Sequence, residues 1–147
     1  MGYNYRMSNI AAAIGVGQLK VLDQRVAARR ANHDFYQALL AEVEGVKFLE
    51  EPEGYFSNRW LSCITIDPAI TGVNREDVRL ALEKDNIESR PLWKPMHMQP
   101  LFAQSDYYGS DFIEKLFQEG ICLPSGSNLT SQEKERISSQ LKVVFSC

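Results

Sequence analysis

The chain has 147 residues, of which 44% are hydrophobic and 24% charged, with a formal net charge of −3 at neutral pH. That length and balance suit one domain with an ordinary core and exclude a disordered chain. The acidic balance argues against a general nucleic-acid binder, and no apolar run approaches the roughly 20 residues needed to cross a bilayer.

A long helical pattern comes first, over residues 8–44. Ser8 offers a cap, apolar residues recur at Ile10, Ile14, Leu19, Leu22, Val26, Phe35, Leu39 and Val43, and Gly45 supplies a stop. Unbroken, it would run about 55 Å at ~1.5 Å per residue, nearly twice the width of a small domain. Either it bends, with Gly15 and Gly17 as the weak spot, or it links this region to a further part of a larger protein. Short strands are expected at Val46–Leu49 and, more strongly, at Arg59–Asp67. Asn74 caps a second helix that offers Val78, Leu80, Ala81 and Leu82 to the core. A third strand is expected at Ile87–Arg90, a short helix at Ser110–Gln118 and an extended piece at Ile121–Leu123. Thr130 and Glu133 form a capping-box pattern before a last helix that carries Ile137, Leu141 and Val144. The order predicts an α+β fold, a small and mainly antiparallel sheet with helices packed on one face and a long N-terminal helix.

Cys63, Cys122 and Cys147 lie far apart in the sequence and show no Cys/His ligand spacing, so no metal site is expected. The first two stand among apolar residues and read as buried thiols of a reducing compartment. The polar, aromatic opening from Gly2 to Asn9 is not a secretory signal pattern, and a cytoplasmic protein is the expectation. His33, on the long helix, reads as a solvated or partner-facing residue.

Two stretches carry chemistry. In GYNYRMSN, residues 2–9, Asn4 and Arg6 precede a helix start and alternate with tyrosines. An amide, a guanidinium and helix N-terminal amides suit an anion, and they equally suit capping and aromatic packing. In RPLWKPMHMQPLF, residues 90–102, three prolines exclude a helix interior or a central strand. Arg90 and Lys94 suit phosphate oxygens, Trp93 can stack on a base or sugar, and His97 can donate or accept near neutral pH. A proline-stiffened surface connection with solvated charges fits the same residues. Ser125 and Asn128 in LPSGSNLT read as turn and cap residues.

Together GYNYRMSNIAAAIGVGQL, ESRPLWKPMHMQPLF and GICLPSGSNLT resemble the DegT/DnrJ/StrS family of fold-type I, pyridoxal-phosphate-dependent sugar aminotransferases. Within that family they are similar to the subgroup that aminates UDP-linked 4-keto-6-deoxy-N-acetylhexosamines. The resemblance covers nearly the whole chain and implies the C-terminal small domain of the transferase fold, one domain over residues 1–147. It implies that the parent is a homodimer acting on a nucleotide sugar, with glutamate as donor. The large N-terminal domain, with the lysine that holds the cofactor, would then lie outside this sequence. Lys20, Lys47, Lys84, Lys94, Lys115, Lys134 and Lys142 do not stand in the family's lysine motif. The fragment alone is therefore expected to bind no pyridoxal phosphate and to be inactive. By the same resemblance Asn4 reaches the cofactor phosphate of the neighbouring subunit, with Arg6 beside it. Arg90, Trp93, Lys94 and His97 fall where the sugar nucleotide is handled. A sugar dehydratase of the same fold, or a non-catalytic binding module, would share these features.

Overall fold

The computed structural model describes residues 4–146. Gly2 and Tyr3 of the opening motif, and Cys147, lie outside the described residues. The long helical pattern is realised as two helices, α1 (Asn9–Leu19) and α2 (Leu22–Leu39). The break falls at Lys20 and Val21, beyond Gly15 and Gly17, which both sit inside α1. Ser8 caps α1 through its hydroxyl, which accepts the Ala11 N–H at 3.2 Å. No residue of α1 is buried, and Ile10, Ile14, Val16 and Leu19 are all exposed. The helical spacing of Ile10, Ile14 and Leu19 meets no core among the described residues.

Beyond α2 the chain turns at Gly45, whose φ of +86° is the left-handed conformation that glycine takes without strain. Four strands follow: β1 (Val46–Phe48), β2 (Ser62–Ile66), β3 (Arg90–Pro91) and β4 (Gly120–Leu123). All pairings are antiparallel and the spatial order is β1-β2-β4-β3. Pro91 is tolerated because β3 is an edge strand. The helices between and after the strands are α3 (Pro68–Thr71), α4 (Arg75–Lys84), α5 (Phe112–Glu119) and α6 (Ser131–Phe145). The short α3, capped by Asp67, was not anticipated.

The sheet's inner face carries Ile64 and Ile66 from β2, and Ile121 and Leu123 from β4. These pack on Tyr36 and Leu40, on Val78 and Leu82 of α4, and on Ile137 and Leu141 of α6. Helices α2, α4 and α6 thus cover one face of a small antiparallel sheet, as the element order predicts. Leu80, expected in the core, is exposed. The caps predicted at Asn74 and Thr130 are complete boxes: Asn74 exchanges hydrogen bonds with Asp77, and Thr130 with Glu133. No helix among the described residues is long and apolar enough to cross a membrane.

Candidate functional site

Period-2 alternation sends Ser62, Ile64 and Ile66 inward and turns Cys63 and Thr65 to the opposite face. On that outer face Cys63, Cys122 and Arg90 stand abreast, because Cys63 is in register with Cys122 and Cys122 with Arg90. A cavity of about 400 Å³ opens there. Its walls include Trp60, Arg90, Trp93, Cys122 and Ser125. Trp60 and Trp93 face each other across 6.1 Å at 38°. They are 60% and 66% exposed, so two large aromatic surfaces stand in solvent where a flat ligand can meet them. Ser89, also on the wall, has a buried hydroxyl without a partner among the described residues.

Each wall is held from behind. Four side chains of α2, at helical spacing, grip the loop after β4. Tyr36 donates to the Pro124 carbonyl at 2.7 Å, and Asn32 to that of Gly126 at 2.8 Å. Arg29 reaches the Ser125 carbonyl at 3.2 Å and also that of Trp60. Arg25 approaches the Ser127 hydroxyl at 3.5 Å. Ser125 accepts the Ser62 N–H at 2.7 Å and donates to Leu123, a turn role as its sequence context suggests. The loop leading to Trp60 closes on Glu51, which takes the Ser57 N–H at 2.9 Å, Arg30 at 2.9 Å and Arg59 at 3.4 Å. The Ser57 N–H first, then Arg30, hold the Glu51 carboxyl below its ordinary pKa. Arg59 takes φ of +46°, which re-aims the chain just before Trp60.

The stretch 90–102 divides in two. Arg90 and Trp93 belong to the cavity. Arg90 is exposed and paired to Glu88, its Nε 2.7 Å from Oε1. Lys94 is exposed and forms no ion pair among the described residues. Beyond it, Met96–Met98 and Pro100–Phe102 form two single 3₁₀ turns, so the prolines shape the run as expected. His97 stacks on Tyr107 at 3.8 Å between ring centroids, and its Nε2 lies 3.0 Å from Glu114 of α5. It does not line the cavity.

Asn4 and Arg6 remain at the exposed start of α1. The Asn4 side-chain carbonyl accepts from the Arg6 backbone N–H at 3.0 Å and from its Nε at 3.3 Å, which leaves the Asn4 amide donors unengaged among the described residues. His33 is buried, edge-on to Phe48 at 5.5 Å between centroids, and not solvated or partner-facing as its sequence position suggests. Trp60 is the site residue that sequence reading missed. It was absorbed into a strand expected to begin at Arg59, whereas β2 begins at Ser62 and the Trp60 N–H donates to the Asn58 side-chain carbonyl at 3.0 Å.

A family model described as the DegT/DnrJ/EryC1/StrS aminotransferase family matches residues 1–142. The chain belongs to that family. It is 44% identical over 149 residues to EpsN of Bacillus subtilis strain 168, assigned to the pyridoxal phosphate-dependent aminotransferases, covering 99% of this chain and 38% of that protein. It is 32% identical to a GDP-perosamine synthase of Vibrio cholerae, over all of this chain and 40% of the relative. The chain thus spans about two fifths of the length of these relatives. Among solved structures, DesI in the presence of its TDP-sugar product superposes with a TM-score of 0.88, at 25% identity, over 99% of this chain and 37% of that one. Helicobacter pylori PseC, an aminotransferase of pseudaminic acid biosynthesis, shares the fold at a TM-score of 0.85 and 20% identity, over 99% of this chain and 39% of that chain.

The described residues fit one edge of a pyridoxal phosphate site. Asn4 and Arg6 offer donors suited to a phosphate. Of the lysines, six are exposed and Lys134 lies over the Phe35 ring, and none lines the Trp60–Trp93 cavity.

Proposed function

We propose that this chain is the C-terminal small domain of a pyridoxal-phosphate-dependent aminotransferase. The enzyme aminates the 4-keto carbon of a UDP-linked 4-keto-6-deoxy sugar, with glutamate as donor, in the cytoplasm. The observation that carries the reading is the whole-chain match to EpsN at 44% identity. The Trp60–Trp93 cavity supports it, since paired aromatic faces with a guanidinium at the rim suit a base and its phosphates.

In this reading Trp60 and Trp93 hold the nucleotide, and Arg90 turns from Glu88 to the diphosphate, with Lys94 beside it. Glu114 and Tyr107 fix the ring of His97 outside that cavity, where it meets the substrate only in the assembled enzyme. Asn4 donates its free amide hydrogens to the cofactor phosphate in the other subunit of a homodimer, and Arg6 adds positive charge. Bound pyridoxal phosphate supplies the electron sink that amino transfer requires. The lysine that holds it comes from the large N-terminal domain. The apolar surface of α1, uncovered here, packs against that domain and the second subunit.

The test uses the full-length gene product with pyridoxal phosphate, ¹⁵N-glutamate and the UDP-4-keto sugar. The expected product is a ¹⁵N-labelled amino sugar nucleotide, formed faster from the UDP than from the GDP substrate. A deoxygenated product without nitrogen would identify a dehydratase. Absence of turnover, with the UDP-sugar still bound, would leave a non-catalytic module. In the same protein Asn4→Ala should lose cofactor on gel filtration, and undiminished retention would reject the role given to Asn4.

A further inference from the structure

Cys63 and Cys122 are distant in sequence and adjacent in space. They are direct partners in the register of β2 and β4, and their sulfurs lie 3.5 Å apart. Directly opposed residues of antiparallel strands have Cα atoms about 4.5–5.5 Å apart, within the ~4.4–6.8 Å that a disulfide spans. Closing the sulfurs to ~2.05 Å therefore requires side-chain rotation and no slip of the strands. Both thiols project from the sheet face opposite the core. Cys63 is half-buried, and Cys122 is buried but forms part of the cavity wall, so a small oxidant reaches the pair through the cavity.

We propose that Cys63 and Cys122 form a peroxide-oxidisable dithiol, which closes a reversible β2–β4 disulfide beside the Trp60–Trp93 cavity. The proposal rests on strand register and sulfur geometry, and it is independent of the aminotransferase reading. In the first step the Cys122 thiolate attacks one peroxide oxygen. An S–O bond forms, the O–O bond breaks, and hydroxide leaves to take up a proton as water. The Cys63 thiolate then attacks that sulfur, the S–S bond forms, and the S–O bond breaks to release a second water. Two thiols and one hydrogen peroxide become one disulfide and two waters. Two electrons pass from the sulfurs to the peroxide, and a small dithiol reverses the change. The order follows from the place of Cys122 on the cavity wall, and the hydrogen bond between the sulfurs acts in the same sense. That bond pulls the Cys122 thiol down in pKa and, together with burial, pushes Cys63 up. The thiolate is the reactive form.

The experiment uses the full chain with Cys147→Ser, which removes the remaining thiol. The protein is exposed to about one equivalent of hydrogen peroxide, blocked with N-ethylmaleimide, cut with trypsin and weighed. Free thiols should fall from two toward zero. Peptides 60–75 and 116–134 should appear as one linked species, two hydrogens lighter than their sum, that dithiothreitol separates. Adding Cys63→Ser should abolish the linked species and, when a second equivalent of peroxide is supplied, send Cys122 on to the sulfinic acid, for want of a resolving partner. Equal loss of thiols with the two peptides oxidised separately would overturn the proposal. So would two unreacted thiols at about tenfold excess of peroxide.

Discussion

Tyr36→Phe isolates one hydrogen bond that ties the core to the candidate site. Tyr36 is fully buried, and its hydroxyl donates to the Pro124 carbonyl at 2.7 Å. No other donor reaches that carbonyl among the described residues. Phenylalanine keeps the ring, so no cavity larger than the hydroxyl is left, and the loss is confined to the bond and to an orphaned buried acceptor. That arrangement costs about 1–3 kcal/mol. In a domain of this size ~2 kcal/mol lowers Tm by roughly 4–8 °C. Burial raises the Tyr36 pKa well above its ordinary value of 10.0, so the hydroxyl remains a donor at any working pH. The penalty should accordingly be the same at pH 6 and pH 9. Urea unfolding followed by circular dichroism, with Tm by calorimetry, supplies the numbers. Asn32→Ala alone and in combination completes a double-mutant cycle, because Asn32 grips Gly126 two residues along the same loop. The pair should couple by at least about 0.5 kcal/mol. A Tyr36→Phe cost below about 0.5 kcal/mol would refute the reasoning, since the loop would then be held without this bond.

Three further outcomes follow from the geometry. Gly120→Ala should destabilise by about 1–3 kcal/mol in the same unfolding assay, because a Cβ there would stand 2.6 Å from the Leu116 carbonyl and collide with Leu92. His33 has its pKa lowered from 6.5, by burial first and by Arg59 second, so the unfolded chain binds the proton more readily. Stability should therefore fall as pH drops below about 6.5 and level off below the folded pKa; His33→Gln should flatten that slope in a pH series of urea midpoints. Trp60→Ala or Trp93→Ala should weaken the binding of a uridine nucleotide about tenfold or more by calorimetry, while Lys142→Ala, on α6 and away from the cavity, should leave it unchanged.

The starts of α4 and α6 were legible because caps are local. Asn74 with Asp77, and Thr130 with Glu133, need only four residues to state their geometry. Val78 and Leu82, one helical turn apart, likewise announce the buried stripe of α4. What the sequence hid was pairing. Ile121–Leu123 read as a brief extended piece, yet Gly120–Leu123 form a strand with a neighbour on each side. Their importance comes from β2 and β3, which stand far away in the chain. The same distance hid the two thiols from each other. Helix α1 misled for the opposite reason. Its apolar spacing is genuine, but the surface that would cover it is not among the described residues, so periodicity alone pointed to a core that is absent here.

The stretch 90–102 shows why residue type alone does not group a site. Arg90, Trp93, Lys94 and His97 read as one constellation because eight residues hold them all. The prolines separate them. Pro91 lies in the edge strand that places Arg90 beside Cys122, and Trp93 follows within reach of Trp60. Pro95 then starts a 3₁₀ turn that carries His97 toward Glu114 and Tyr107. Chain proximity was thus a poor guide, and the nearest aromatic neighbour of Trp93 is a residue 33 positions away in the chain. A ligand with a flat base and a diphosphate can use the first group without touching the second. If His97 nonetheless contributes to recognition, it must do so through whatever approaches from outside this chain. For that reason substitutions at Trp60 and Trp93 report on this chain's own cavity, whereas His97 is informative only in the assembled enzyme.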